Sequence, residues 1–512
     1  MKIFDGVPQE NITPFMRLFW TEQMKYIRCT NKKQLRYHPA IIKYCLNICA
    51  KSSAAYKQLK LDLENGTGVL VLPSQRTLRQ YRNYVKPEHG FNPQITKDLA
   101  EMTAGFSSAD KYVSIVIDEM KVQEDLVWDR SSGELIGFLD LGNESMNEST
   151  ITDREKLASH VMVFLVKSIK NKLSFSFANF ATDGASAAQI HLLFWKCVAI
   201  LEISCQLKVI CTVSDGASTN RKFIKMNKGV DDEKCTDVTY RTKNLYAPDR
   251  YIYFIADPPH LIKTARNALW KSGNDISGRY MWNNECYLFW KHIKDLFFED
   301  LEYGLKSVTH LTTEHVMLNS YSVMNVKLAA SVLSESTCVS LQVYGPPGAK
   351  ETALFCRQFD KFFDCFNVKD TQQSKKKIKP FLKKYESEDD VRFNWLNSFI
   401  AYLDEWKQNI AKRPGEFTQT QRNNMFISLP TYEGIKISIK SLQEIIPYLL
   451  RNGFDYVLSE NFCQDDLENY FGRQRAIGSR KTNPNSRDTI RNDRIIKNQL
   501  DPRPIEGGNC PA

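Results

Sequence analysis

Two short apolar runs that each stop on an aspartate constrain this chain more than any other feature: YVSIVID ends at Asp118 and QLKVICTVSD ends at Asp215. Runs of this length, rich in β-branched residues, predict buried strands. An acid at the last position of such a strand faces the sheet's edge, where a cleft can hydrate it or a cation can bind it. Gly216 follows Asp215 directly, so the backbone there can turn sharply while the carboxylate points outward.

The surrounding stretch, residues 110–260, is strand-rich. DLVWDRSSGELIGFLDLG predicts a hairpin turning over Asp129–Gly133. HVMVFLVKSI and KLSFSFANFA predict two further strands, ASAAQIHLLFWKCVAILEI a helix, and YIYFIAD a last strand. Antiparallel-type strands, a helix, a strand and another unit follow the order of an RNase H-like fold.

The flanks have helical period. Residues 1–95 include YHPAIIKYCLNICAKSSAAYKQLK and then VLVLPSQRTLRQYRNYV, where Pro73-Ser74 breaks the chain before a helix bearing Arg76, Arg79 and Arg82. Two short helices at a turn, the second rich in Arg, predict a helix-turn-helix DNA reader; a solvated basic helix packed on the next domain fits the same pattern. Residues 261–455 return to helical spacing in LIKTARNALW, ECYLFWKHIKDLFFEDL, ALFCRQFDKFFDCFN and FNWLNSFIAYLDEWKQNI. Between them QQSKKKIKPFLKKYESEDD lacks a core pattern and predicts a charged linker. The stretch 456–476 predicts a short segment and a helix, and 477–512 a basic, loosely ordered tail.

Composition narrows the function classes. The net charge is +10, from 69 Lys+Arg against 59 Asp+Glu, which agrees with a polyanionic partner. No apolar run reaches the length of a membrane helix, and the longest candidate, HLLFWKCVAILEISC, is interrupted by Lys196 and Glu202. No signal-peptide pattern opens the chain, so an intracellular protein without membrane attachment is expected. The 13 cysteines form no CxxC pair, and Cys45 and Cys49 are expected to be core thiols.

A third carboxylate completes a chemical pattern. In ENFCQDDLENYFGRQR, Asp465 and Glu468 stand three apart on one helix face. Carboxylates on two neighbouring strands and a covering helix offer the hard oxygen ligands that Mg²⁺ prefers.

The blocks IDEMKV with LVWDRSSGELIGFLDLG, then SDGASTN, DPPHLIKTARN and QDDLENYFGRQR resemble the P-element transposase family in order and wording, over roughly residues 20–475. The resemblance implies an α/β + α protein: an RNase H-like (DDE) core over 100–260 and 456–476, interrupted by a mostly helical GTP-binding insertion domain over 261–455 and preceded by the helix-turn-helix region. It implies that Asp118, Asp215 and Glu468 are catalytic and bind Mg²⁺. It also implies that GTP serves as an assembly cofactor, with Asp364 and Asn367 reading guanine, Phe363 stacking on the base, Lys327 and Ser336 at the sugar or phosphates, and Asp465 approaching the nucleotide. The implied partners are DNA, as transposon ends and target, and further copies of the chain on that DNA. The implied place is the nucleus.

The family's N-terminal THAP zinc finger and coiled coil have no counterpart in this sequence, which puts recognition of transposon ends in question. A domesticated or truncated DNA-binding or scaffold protein without transposition activity therefore stands beside the transposase expectation. An RNase H-like nuclease acting on another substrate is a third. GPPGAKET at 345–352 departs from GxxxxGK[ST] and is expected to be a loop between helices rather than a phosphate-binding loop.

Overall fold

The computed structural model describes residues 8–29, 35–82, 88–129, 133–229, 237–273, 278–302, 308–377, 379–477 and 483–500. Its centre is a six-stranded mixed sheet. Strand β1 is Tyr112–Lys121, and the hairpin strands β2 and β3 are Val127–Asp129 and Glu134–Ile136. They are followed by β4 His160–Ser168, β5 Ser174–Thr182, β6 Lys208–Ser214, β7 Arg241–Asn244 and β8 Ala247–Ala256. The sheet order is β5-β4-β1-β6-β8-β7, with the β2–β3 hairpin separate. β1 runs antiparallel to β4 and parallel to β6, and β6 runs parallel to β8. The central strands are buried almost throughout, which is why they read as continuous apolar runs rather than alternating ones.

The helix Ala187–Ala199 opens the stretch Ala187–Ser204, which passes as a membrane span by length and composition. In the fold its Leu193, Phe194, Cys197 and Val198 are buried in the core. Just beyond that helix, Glu202 pairs with Arg250 at 2.6 Å.

Two hydrophobic cores are present among the described residues. The smaller unites Phe19, Tyr26, Ile41, Ile42, Tyr56 and Leu78 in the N-terminal helical unit. The larger runs without a break from the sheet into the helices expected for the insertion. Within that expected insertion the helix Leu429–Arg451 packs on β8. Its Ser438 hydroxyl accepts from Ala256 N–H and donates to Ala256 C=O, and its Ser441 hydroxyl donates to Phe254 C=O. The cover of the sheet thus begins well before residue 455, because small hydroxyl side chains let this helix approach the strand backbone.

The tail differs from expectation. Ser486–Leu500 is a helix that packs against β4, β5 and the helices Pro39–Lys51 and Gln75–Arg82. Ile490, Ile495 and Ile496 are buried, and His89 bridges Asn179 on β5 and Ser486 at 2.8 Å on each side. Polar composition hid this helix: its burial relies on partnered polar groups such as Asp493, which accepts from the Tyr470 hydroxyl at 2.7 Å.

Gln75–Arg82 is helical as predicted, with Arg76 exposed, while the side chains of Arg79 and Arg82 lie outside the described residues. The charged linker is partly ordered: Tyr385 N–H donates to Val457 C=O at 3.0 Å, and Val457 N–H returns a bond at 2.9 Å. Residues 345–349, between the helices Glu335–Tyr344 and Lys350–Phe366, form the loop expected there.

Candidate active site and nucleotide site

Parallel pairing of β1 with β6 sets Val116 beside Val213. Two residues further along each strand come Asp118 and Asp215, so the two acids stand side by side at the same end of the sheet. Glu468 lies in the first turn of the helix Asp465–Ala476, which packs on β1.

The charges of these groups act on one another. Burial pushes the half-buried Asp118 carboxyl up to about 7, and the charges of Asp215, Asp257 and Glu468 add to the rise, while an N–H from Glu119 at 2.7 Å opposes it. Asp215 is fixed on its other side: its Oδ1 accepts from Asn220 Nδ2 at 2.6 Å and from Ala217 N–H at 2.9 Å. Glu468 is exposed, and among the described residues no such bond holds its side chain.

A cluster of mutually repelling carboxylates is relieved by a divalent cation, and the donors are oxygens of the hard type. In that chemical sense the residues fit Mg²⁺. Among the described residues no three His, Cys, Asp or Glu side chains are gathered closely enough to hold a metal ion as they stand. The exposed Glu468 has the rotamer freedom to close such a set.

The helix carrying Glu468 is tied to the sheet at several points. Gln464 N–H donates to Asp257 Oδ1 at 2.9 Å, and Gln464 Nε2 donates to Ile117 C=O at 2.9 Å. Asp466 pairs with Lys167 of β4 at 2.8 Å. Asp257 is itself pushed up to about 7 by burial, against N–H bonds from Gln464 and His260 and with the Glu468 charge adding to the rise. His260 is held below its ordinary value by burial and Lys263, with the Asp215 charge opposing.

Three of the residues expected at a nucleotide, Phe363, Asp364 and Asn367, lie at the C-terminal end of Lys350–Phe366. Phe363 and Asp364 are buried on this helix, and Asn367 caps it. Asp364 has a cation partner that the sequence did not announce: Lys379, from the expected linker, pairs with Asp360 at 2.7 Å and Asp364 at 3.1 Å. Ser336 is exposed at the start of Glu335–Tyr344. Asp465 joins the same region through Lys369, two residues past Asn367, at 2.9 Å. Lys327 is exposed at the start of Val326–Val332, a helix that packs on Lys350–Phe366.

Sequence reasoning passed over Asp257, Asn220, Gln464 and Lys379. A signal for Asp257 was present, since YIYFIAD ends in an aspartate as the two flagged strands do. The other three act through contacts distant in sequence or through a turn, and no local period marks them.

A family model described as the TNP-like RNase H N-terminal domain matches residues 87–228, and one described as the TNP-like GTP-binding insertion domain matches residues 259–380. The chain is 25% identical over 422 residues to the Transposable element P transposase of Drosophila melanogaster, covering 81% of this chain and 48% of that protein. It is 23% identical over 424 residues to the DNA transposase THAP9 of Homo sapiens, covering 80% of this chain and 43% of that protein. The chain thus spans less than half the length of these curated relatives. Among solved structures, a chain of the Drosophila P element transposase strand transfer complex matches with a TM-score of 0.72 at 20% identity, covering 94% of this chain and 96% of that one.

Proposed function

Because the chain belongs to the P-element-type transposase family, with an RNase H-like domain and a GTP-binding insertion domain, we propose that it is a DNA transposase that cleaves and joins DNA strands at Asp118, Asp215 and Glu468. The observation that carries this reading is geometric: Asp118 and Asp215 stand side by side at one end of the sheet, and the helix bearing Glu468 packs on β1. The three acids come from β1, the end of β6 and a helix beyond the insertion, yet the charges of both others act on Asp118. Three repelling carboxylates in one place destabilise a fold that has no use for them.

The three carboxylates would hold Mg²⁺, which when bound supplies activation of an attacking oxygen and stabilisation of a leaving oxygen in phosphoryl transfer. The chain's own residues prepare for this. Burial and the neighbouring acids raise the Asp118 carboxyl to about 7, so a bound cation would favour its ionised form. Asn220 holds Asp215 in one rotamer. In this reading GTP binds at Asp364, Asn367 and Phe363 with Lys327, Ser336 and Asp465 nearby, and supports assembly rather than supplying energy. The bound DNA is the transposon end and its target, engaged by more than one copy of the chain in the nucleus. The exposed Arg76 on the Gln75–Arg82 helix offers a phosphate contact, which implies affinity that falls steeply with salt.

The test is joining of a pre-cleaved transposon-end duplex to plasmid DNA with Mg²⁺ and GTP. Joined product from the wild type and none from Glu468→Gln supports the reading. Equal product from both proteins removes Glu468 from the chemistry.

A further inference from the structure

We propose that Asp257 and Gln464 are positioning residues that return Glu468 to the sheet after the chain's long excursion through the insertion. This rests on the reading of Asp118, Asp215 and Glu468 as a metal site.

Asp257 and Gln464 lie 207 residues apart in sequence, yet Gln464 N–H donates to Asp257 Oδ1 at 2.9 Å. The other oxygen, Oδ2, accepts from His260 N–H at 2.9 Å. Both partners are main-chain donors, and both oxygens are engaged by them. Asp257 is therefore a bracket between the end of β8, the helix Pro258–Trp270 that it caps, and the turn before the Glu468 helix.

Gln464 makes the second tie. Its Nε2 donates to Ile117 C=O at 2.9 Å, one residue before Asp118. Its own carbonyl accepts the Glu468 N–H at 2.9 Å. One side chain and one peptide unit thus connect the first catalytic strand, β8 and the residue bearing the third acid. Asp257 and Gln464 are only 2% and 4% exposed, so water does not substitute for these bonds.

A carboxylate is the specific requirement at 257. Asparagine is isosteric, but its Oδ1 satisfies one N–H while its amide end faces the other donor. Burying an acid among other acids is costly, and the bracket explains why one is kept there without serving as a metal ligand.

The test uses the 512-residue chain, Asp257→Asn and Gln464→Met, with Glu468→Gln as the ligand control. Mn²⁺ binding is followed by the free-ion electron spin resonance signal, and amide exchange is followed over residues 465–471. Each positioning variant should weaken Mn²⁺ binding by on the order of 10-fold and speed exchange in that turn. A merely structural role would lower the melting temperature while leaving the Mn²⁺ affinity of the folded fraction unchanged, and that result overturns the proposal. Unchanged exchange at 465–471 overturns it as well. If Asp257→Asn does not fold, Gln464→Met decides by the same two readouts. If the wild type binds no Mn²⁺, the metal-site reading has failed, and the latch stands or falls on the exchange rates alone.

Discussion

Replacing Asp118 by asparagine should make the metal-free protein more stable at alkaline pH. Burial, and after it the Asp215 charge, raises the Asp118 carboxyl from 3.8 to about 7 in the folded state. A carboxyl raised on folding favours the folded state only while protonated. Its contribution is intact below the unfolded value and is lost as pH climbs through the folded one, a window of about 4 to 7. At about 1.4 kcal/mol per unit, a rise of roughly three units corresponds to about 4 kcal/mol. Solvent reaching this half-buried group through the cleft trims that to about 2–3 kcal/mol. Asparagine mimics the neutral acid and can still accept the Glu119 N–H. In chelator, the urea midpoint of Asp118→Asn should therefore exceed that of the wild type at pH 8, and the gap should close towards pH 4.5. Added Mg²⁺ should narrow the gap at pH 8, because only the wild type retains the full ligand set. A variant no more stable than the wild type at pH 8, or a gap of equal size at both pH values, refutes the picture of acids held together against their repulsion.

Three other perturbations follow from the same contacts. Lys379→Met strips the buried Asp360 and Asp364 of a cation and should destabilise the protein by about 2–4 kcal/mol. Burial already raises Asp360, so that penalty should shrink as the pH falls and Asp360 takes up a proton; urea midpoints at pH 5 and pH 8 check it. GTP should raise the melting temperature of the wild type, and Asp364→Ala should abolish most of that rise; an undiminished rise would take Asp364 out of the nucleotide site. Asn220→Leu removes the 2.6 Å bond to Asp215 and should slow strand joining by on the order of 10- to 100-fold with little change in DNA affinity, as measured by rates at saturating DNA.

The parts of this protein legible in its sequence are those with a local signature. YVSIVID and QLKVICTVSD announce their strands because both faces are buried, and the terminal acids announce themselves against that apolar background. The order of elements then limits the sheet to few topologies. What escaped depends on residues far apart. Lys379 looks like one more cation in a charged run until the fold sets it against Asp360 and Asp364. Ser486–Leu500 carries only a few buried isoleucines among Arg, Asn and Asp, and its docking is sustained by polar bonds that have no period. Asp257 illustrates a third kind of miss. The rule that flagged Asp118 and Asp215 applies to it equally, but its neighbours turn both oxygens inward.

The central claim is that Asp118, Asp215 and Glu468 form one metal-dependent centre for DNA strand joining. The most direct measurement is Mg²⁺-dependent joining of a transposon-end duplex to plasmid, comparing the wild type with Asp118→Asn, Asp215→Asn and Glu468→Gln at equal DNA occupancy. The account predicts joined product from the wild type alone, with each single replacement removing it while binding and folding persist. Product that survives any one of the three replacements, or that forms equally without a divalent cation, contradicts it.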